Sequence, residues 1–227
     1  MASPRYLSEA DHQRISAAVG EAEMLSSGEI VTILADRSDG YTDVALAWSA
    51  LVAFLALGAL AIAPDFYMSL YDRLIADWGH EWTPRMILSL ALGVAALKFA
   101  GVMLLQLWQP LKFFLIPAPI RTMRVHDRAL RAFRIGAEQR TTGRTGILIY
   151  LSMREHRAEI VADQAIATKV EPGVWADAMN AMLAELREGR TADAMIAAVA
   201  KVGAVLTTHV PRLEGDVNEL PDRLIEV

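Results

Sequence analysis

Residues Val44–Ala63 run for 20 positions without a charge. At about 1.5 Å of rise per residue such a helix crosses a hydrocarbon core of roughly 30 Å, so the run predicts a transmembrane span. Met86–Trp108 is a second apolar run, interrupted by Lys98 and a few polar residues that helices tolerate. Together they predict a membrane hairpin, with Trp48, Trp82 and Trp108 near the expected interfaces. Lys98 falls near mid-span, where a charge costs on the order of 2.5 to 3.5 kcal/mol. It reads as a snorkelling side chain, or as an oligomer contact or part of a proton pathway.

The flanking charges predict orientation. The loop between the runs holds Asp65, Asp72, Asp77 and Glu81 against Arg73 and Arg85, whereas Lys112, Arg121, Arg124 and Arg128 follow the second run. The positive-inside rule then puts both termini in the cytoplasm and the loop outside. Met1–Ala18 lacks a basic region followed by an apolar stretch, so no cleavable signal peptide is expected. An integral membrane protein with both termini in the cytoplasm is the resulting expectation. The chain contains no cysteine, which excludes disulfides, thiolate metal sites and a thiol nucleophile.

Polar sequence on both sides of the hairpin carries the periodicities of a folded domain. Ser8 and Asp11 make a capping pattern before Ile15, Ala18, Val19, Ala22 and Leu25, which share one helix face. Residues 28–36, GEIVTILAD, predict a buried strand, and Arg37–Asp43 a polar turn. In the loop, Tyr67, Leu70, Tyr71, Leu74, Ile75 and Trp78 follow the spacing of a short interfacial helix.

Beyond Pro110, Pro117 and Pro119, Arg121–Gln139 predicts an amphipathic helix whose apolar stripe is Val125, Ala129, Ala132, Phe133 and Gly136. Arg121, Arg124, Arg128 and Arg131 form a neighbouring stripe, read as a lipid or partner surface or as a solvated face. TGILIYLS (145–152) and HRAEIVAD (156–163) predict a strand hairpin turning at Arg154–His156. A helix then runs from Pro172 to Gly189, and Thr191 caps a last helix that Pro211 stops. The tail, with NELPD at 218–222, reads as polar and peripheral.

Without the hairpin, the first strand, the arginine helix and strand 145–152 form a βαβ unit with parallel strands. An α/β sandwich interrupted by a two-helix transmembrane hairpin is therefore expected. Its segments are 1–42 and 110–212 for the soluble domain, 43–109 for the hairpin and 213–227 for the tail.

On GEIVTILA (28–35), GILIYLS (146–152), REHRAEIVAD (154–163) and the two closing helices, the chain resembles the TPM domain family, in its bacterial branch with an inserted hairpin. The resemblance implies an α/β/α fold and one of three roles: acid phosphatase activity, divalent-cation binding, or service as an accessory factor for membrane complexes. Many TPM domains place Asp-Asn-Gly before the central strand, whereas this chain has Arg144, Thr145 and Gly146. Many relatives also face the lumen or the outside.

Metal-assisted hydrolysis needs clustered carboxylates. The acids near strand ends are Asp36, Asp39, Glu155 and Asp163. Asp36, Glu155 and Asp163 are the candidate catalytic set, and Asp36 with Asp163 the candidate divalent-cation ligands; turn and capping chemistry is their other reading. His156 beside Glu155 reads as an exposed turn. His80 and Glu81 lack a zinc helix's second histidine, and Thr142–Gly146 lacks the ending of a phosphate loop. The leading expectation is a non-enzymatic, membrane-tethered module without a cofactor that binds the bilayer and an unidentified membrane protein, with a homo-oligomer as an open option. The alternative is a cation-dependent phosphatase-like hydrolase. Basic and aromatic residues do not interleave, so no nucleic-acid partner is expected.

Overall fold

The computed structural model describes residues 6–74, 82–138, 145–212 and 220–227. Ile75, Asp77, Trp78, His80, Glu81, Gln139, Thr142, Gly143, Arg144, Asn218 and Glu219 lie outside the described residues. The chain forms two compact units, one made of residues 1–39 and 118–227, the other of residues 40–117 inserted between them.

In the first unit, helix α1 (Glu9–Glu23) starts at the Ser8–Asp11 capping box, each side chain meeting the other's backbone. Strand β1 (Glu29–Ala35) is buried along its whole length, as its apolar run requires. Helix α6 (Ala118–Phe133) begins three residues before the expected start. Pro119 occupies its first turn, where a missing N–H costs nothing, and a π-helical turn continues it over Arg134–Glu138. Strands β2 (Gly146–Ser152) and β3 (Arg157–Ala162) form the expected hairpin. Helices α7 (Gln164–Ala167), α8 (Pro172–Arg187) and α9 (Thr191–His209) follow. Thr191 is the first residue of α9 and Arg190 its cap, one position earlier than its hydroxyl suggested.

The sheet order is β3-β2-β1-β4, with β1 and β2 parallel and β3 antiparallel to β2. Strand β4 (Ile225–Glu226) was not foreseen: the tail returns to pair in parallel with Ile33 and Leu34 of β1. Leu220 and Leu224 are buried, so the tail is part of the core and not peripheral. Its spacing hid this, because two leucines among Pro221, Asp222 and Arg223 carry no strand periodicity.

Alternation along β1 and β2 sends side chains into two cores. Ile30, Leu34, Ile147, Ile149 and Leu151 meet Ile15 and Val19 of α1 and the buried face of α9. Val31, Ile33, Leu148 and Tyr150 meet Val125, Ala129 and Phe133 of α6. The result is a three-layer α/β/α sandwich. A Cβ on Gly203 of α9 would lie 2.7 Å from the Cβ of Ala22, so only glycine admits this helix crossing.

In the inserted unit, α2 (Thr42–Ile62), α3 (Pro64–Leu74), α4 (Pro84–Leu105) and α5 (Gln109–Leu115) succeed one another. Helices α2 and α4 have mean hydropathies of 2.3 and 2.1, and 11% and 0% of their apolar windows are buried. Gln106 clasps the pair, its Nε2 donating to Ala45 O at 3.2 Å and to Ser49 Oγ at 3.4 Å. Lys98 lies exposed on α4. Among the described residues, three helices are long and apolar enough to cross a membrane; the third, α9, is half buried in the sandwich core.

Candidate functional site

Because β1 and β2 are parallel and pair from Glu29↔Gly146 to Ala35↔Ser152, both strands end at one level. The carboxyl ends of parallel strands are where open α/β sheets build sites. Here the loops after β1 and β2 are stitched together by Met153 N donating to Ala35 O (2.9 Å) and Arg154 N to Asp36 O (3.0 Å).

Asp36 is held on both oxygens. Arg154 Nε lies 2.9 Å from Oδ1 and 3.1 Å from Oδ2, and the Tyr6 hydroxyl also donates to Oδ1. Burial opposes ionisation of Asp36, but the hydrogen bonds from Tyr6 and Arg154 outweigh it and hold the carboxyl below its ordinary range. Burial first, and then the bond to Asp36, push the Tyr6 phenol up to about 12. Its bond to Asp36 likewise keeps Arg154 firmly cationic.

Glu155 is wholly buried. Its Oε1 accepts from Ser38 N at 2.8 Å and its Oε2 from the Ser152 hydroxyl. Ser38 Oγ also lies 3.1 Å from Tyr150 OH, whose pKa is raised by burial and partly lowered again by bonds to Ser38 and Arg128. Arg124 Nη1 sits 3.2 Å from Asp39 Oδ2. Two arginines of the α6 stripe therefore turn toward this end of the sheet, while Arg121 is half-buried and Arg131 exposed. His156 is exposed in a left-handed turn conformation (φ 51°).

Asp163 belongs elsewhere. β3 runs back along β2, so the residue after Ala162 lies beyond Ile147, at the opposite end of the sheet. That separates Asp163 from Asp36 by roughly 17 Å or more at about 3.3 Å per residue. Asp163 caps α7, its Oδ1 accepting from Gln164 N at 2.7 Å. The expected convergence of Asp36 and Asp163 fails because antiparallel return sends β3 to the wrong end. Asp36 and Glu155 do share an end, but Asp36 is clamped by a guanidinium and both oxygens of Glu155 accept protein hydrogen bonds. This donor set does not fit a divalent cation, and among the described residues no group of three or more acidic or histidine side chains is placed to hold one.

Sequence reading missed Tyr6, Ser38, Tyr150, Ser152 and Arg154. The signal for one was present: a tyrosine within an apolar strand needs a partner for its hydroxyl once buried. The others depend on which loops meet, which only strand register fixes.

Residues 119–205 match the sequence model of the TPM domain. The fold is similar to the NMR structure of BA42 protein from the psychrophilic bacterium Bizionia argentinensis. The TM-score is 0.57 at 16% identity, over 100% of this chain and 99% of that chain, a likeness of fold. No curated protein matches the chain.

Proposed function

We propose that this chain, whose residues 119–205 match the TPM domain, is a membrane-tethered, non-enzymatic module that binds a membrane protein or assembly at the cytoplasmic face of a bacterial inner membrane. The tether is the pair α2 and α4, which at about 1.5 Å per residue are about 31 to 33 Å long. Acidic residues between them and the arginines of α6 after them support the cytoplasmic orientation. The binding face is the arginine stripe Arg121, Arg124, Arg128 and Arg131 with the loops around Asp36 and Asp39, chemistry suited to an acidic segment of the partner.

The observation that carries this reading is the engagement of the strand-end carboxylates. Asp36 is committed to Arg154 and Tyr6, and Glu155 to Ser38 and Ser152. A carboxylate locked into such bonds supports architecture better than proton transfer or metal ligation.

The test pairs an assay with a capture. Purified chain in detergent, given p-nitrophenyl phosphate with Mg²⁺, Ca²⁺ or Mn²⁺, is expected to show no turnover sensitive to Asp36→Asn; such turnover would establish the hydrolase alternative. A photo-crosslinking residue at exposed Arg37 is expected to give a discrete membrane-protein adduct that Arg124→Glu abolishes. The same probe at Lys169, at the opposite end, is expected to give none.

A further inference from the structure

The C-terminal segment is attached in an unusual way. Leu220–Val227 lies along the outer edge of β1, yet only Ile225 and Glu226 pair with it as a strand. Val227 extends the hold, its N donating to Leu34 O at 3.0 Å and its O accepting from Asp36 N at 2.8 Å. Glu226 accepts from Tyr6 N at 2.7 Å and meets His12 Nε2 at 3.0 Å. Farther down the edge a side chain takes over, and Ile30 N donates to Glu23 Oε1 at 2.7 Å.

At that point the tail meets a cavity of about 410 Å³ lined by Glu21, Glu23, Glu29, Arg212 and Asp222. Asp222 is pressed against α1 so closely that a Cβ on Gly20 would lie 2.9 Å from its Oδ2. Glu23, Asp222 and Glu29 all line this cavity, and carboxylates crowded into one partly buried space keep a proton among them, which burial and these neighbours favour on Glu23. Arg212 lines the cavity but gives its Nη1 to Met24 O at 2.9 Å.

We propose that Leu220–Val227 is a releasable strap on the β1 edge, latched by the proton kept among Glu23, Glu29 and Asp222 and freed when that proton leaves. Three ionised acids in one cavity repel. Glu29 is fixed in a buried strand and Glu23 in a helix, so Asp222 moves, carried by a tail with a two-residue ladder. Release uncovers Leu34 O and Asp36 N and frees Tyr6 N, so it loosens the end of the sheet where Tyr6 holds Asp36. The strap is independent of what those loops bind.

Burial, with the Glu29 and Asp222 charges adding, raises Glu23 from 4.5 to about 9 while the strap is seated. Opening restores an ordinary carboxyl, so the open fraction grows by up to about tenfold per pH unit between those values. The cysteine-free chain allows a direct reading in the full protein: spin labels at Ala17→Cys and Arg223→Cys, both exposed positions. A single short distance is expected at about pH 6, joined at about pH 9 by a growing longer one. Glu23→Gln, which still accepts from Ile30 N, is expected to keep the short distance at both, and Asp222→Asn to do the same. His12→Gln, which removes the tail's contact between His12 and Glu226, is expected to leave the opening in place. Identical distributions at both pH values, or opening that survives Glu23→Gln, or opening that His12→Gln abolishes, would each overturn the proposal.

Discussion

Arg154 Nε donates to both carboxylate oxygens of Asp36, at 2.9 and 3.1 Å, and so ties the loop after β2 to the loop after β1. Replacing Arg154 with Met leaves a half-buried carboxylate holding only Tyr6. A loss of about 1–3 kcal/mol in unfolding free energy is expected. Asp36 titrates below its ordinary range, so its contribution is present above the unfolded pKa of about 3.9 and is lost as pH falls through that region. Urea titrations of the two proteins are expected to converge as pH falls and the Asp36 carboxyl takes up its proton.

Glu23 acts with the opposite sign. Its folded pKa of about 9 exceeds the ordinary 4.5. The native state keeps a proton that the unfolded chain has released, and stability falls as pH rises between those values. Glu23→Gln is expected to match the parent near about pH 4 and to melt higher at about pH 8. Calorimetry at the two pH values checks this.

The crossing of α1 and α9 makes a third prediction, one of sign. Gly203→Ala gains about 1 kcal/mol of helix propensity but drives a methyl to within 2.7 Å of Ala22 Cβ. Overpacking costs about 1–3 kcal/mol, so the single variant is expected to melt lower. In an Ala22→Gly background the same substitution is expected to stabilise. A double-mutant cycle by thermal denaturation reads the reversal.

Within the apolar unit, Gln106 bridges α4 to Ala45 and Ser49 of α2. Gln106→Leu is expected to weaken the helix pair by about 0.6 to 1.7 kcal/mol, measured as lowered resistance to unfolding in SDS.

The sandwich was legible because its signals are local. Short apolar runs in 28–36 and 145–152, with the α6 stripe between, were enough to give two parallel strands and a covering helix, and the two long apolar runs gave the hairpin. What escaped was decided by register and by distant pairing. Asp36 and Asp163 both end apolar runs, and only the antiparallel return of β3 separates them. Arg124 and Arg128 read from sequence as part of a surface stripe, and only α6 laid on the sheet brings them beside Asp39 and Tyr150. The tail escaped because two leucines spaced by four, Leu220 and Leu224, enter different cores on opposite faces of the sheet, a placement no local pattern encodes.

Orientation is the claim on which a cytoplasmic binding module depends. Single cysteines at Ser69 in α3 and at Lys201 in α9, both exposed, probed in intact cells with a membrane-impermeant maleimide, measure it directly. Labelling of Ser69 with Lys201 protected until the cells are permeabilised is the predicted result. Labelling of Lys201 with Ser69 protected would contradict the account, putting the α/β/α sandwich and its arginine face outside the cell.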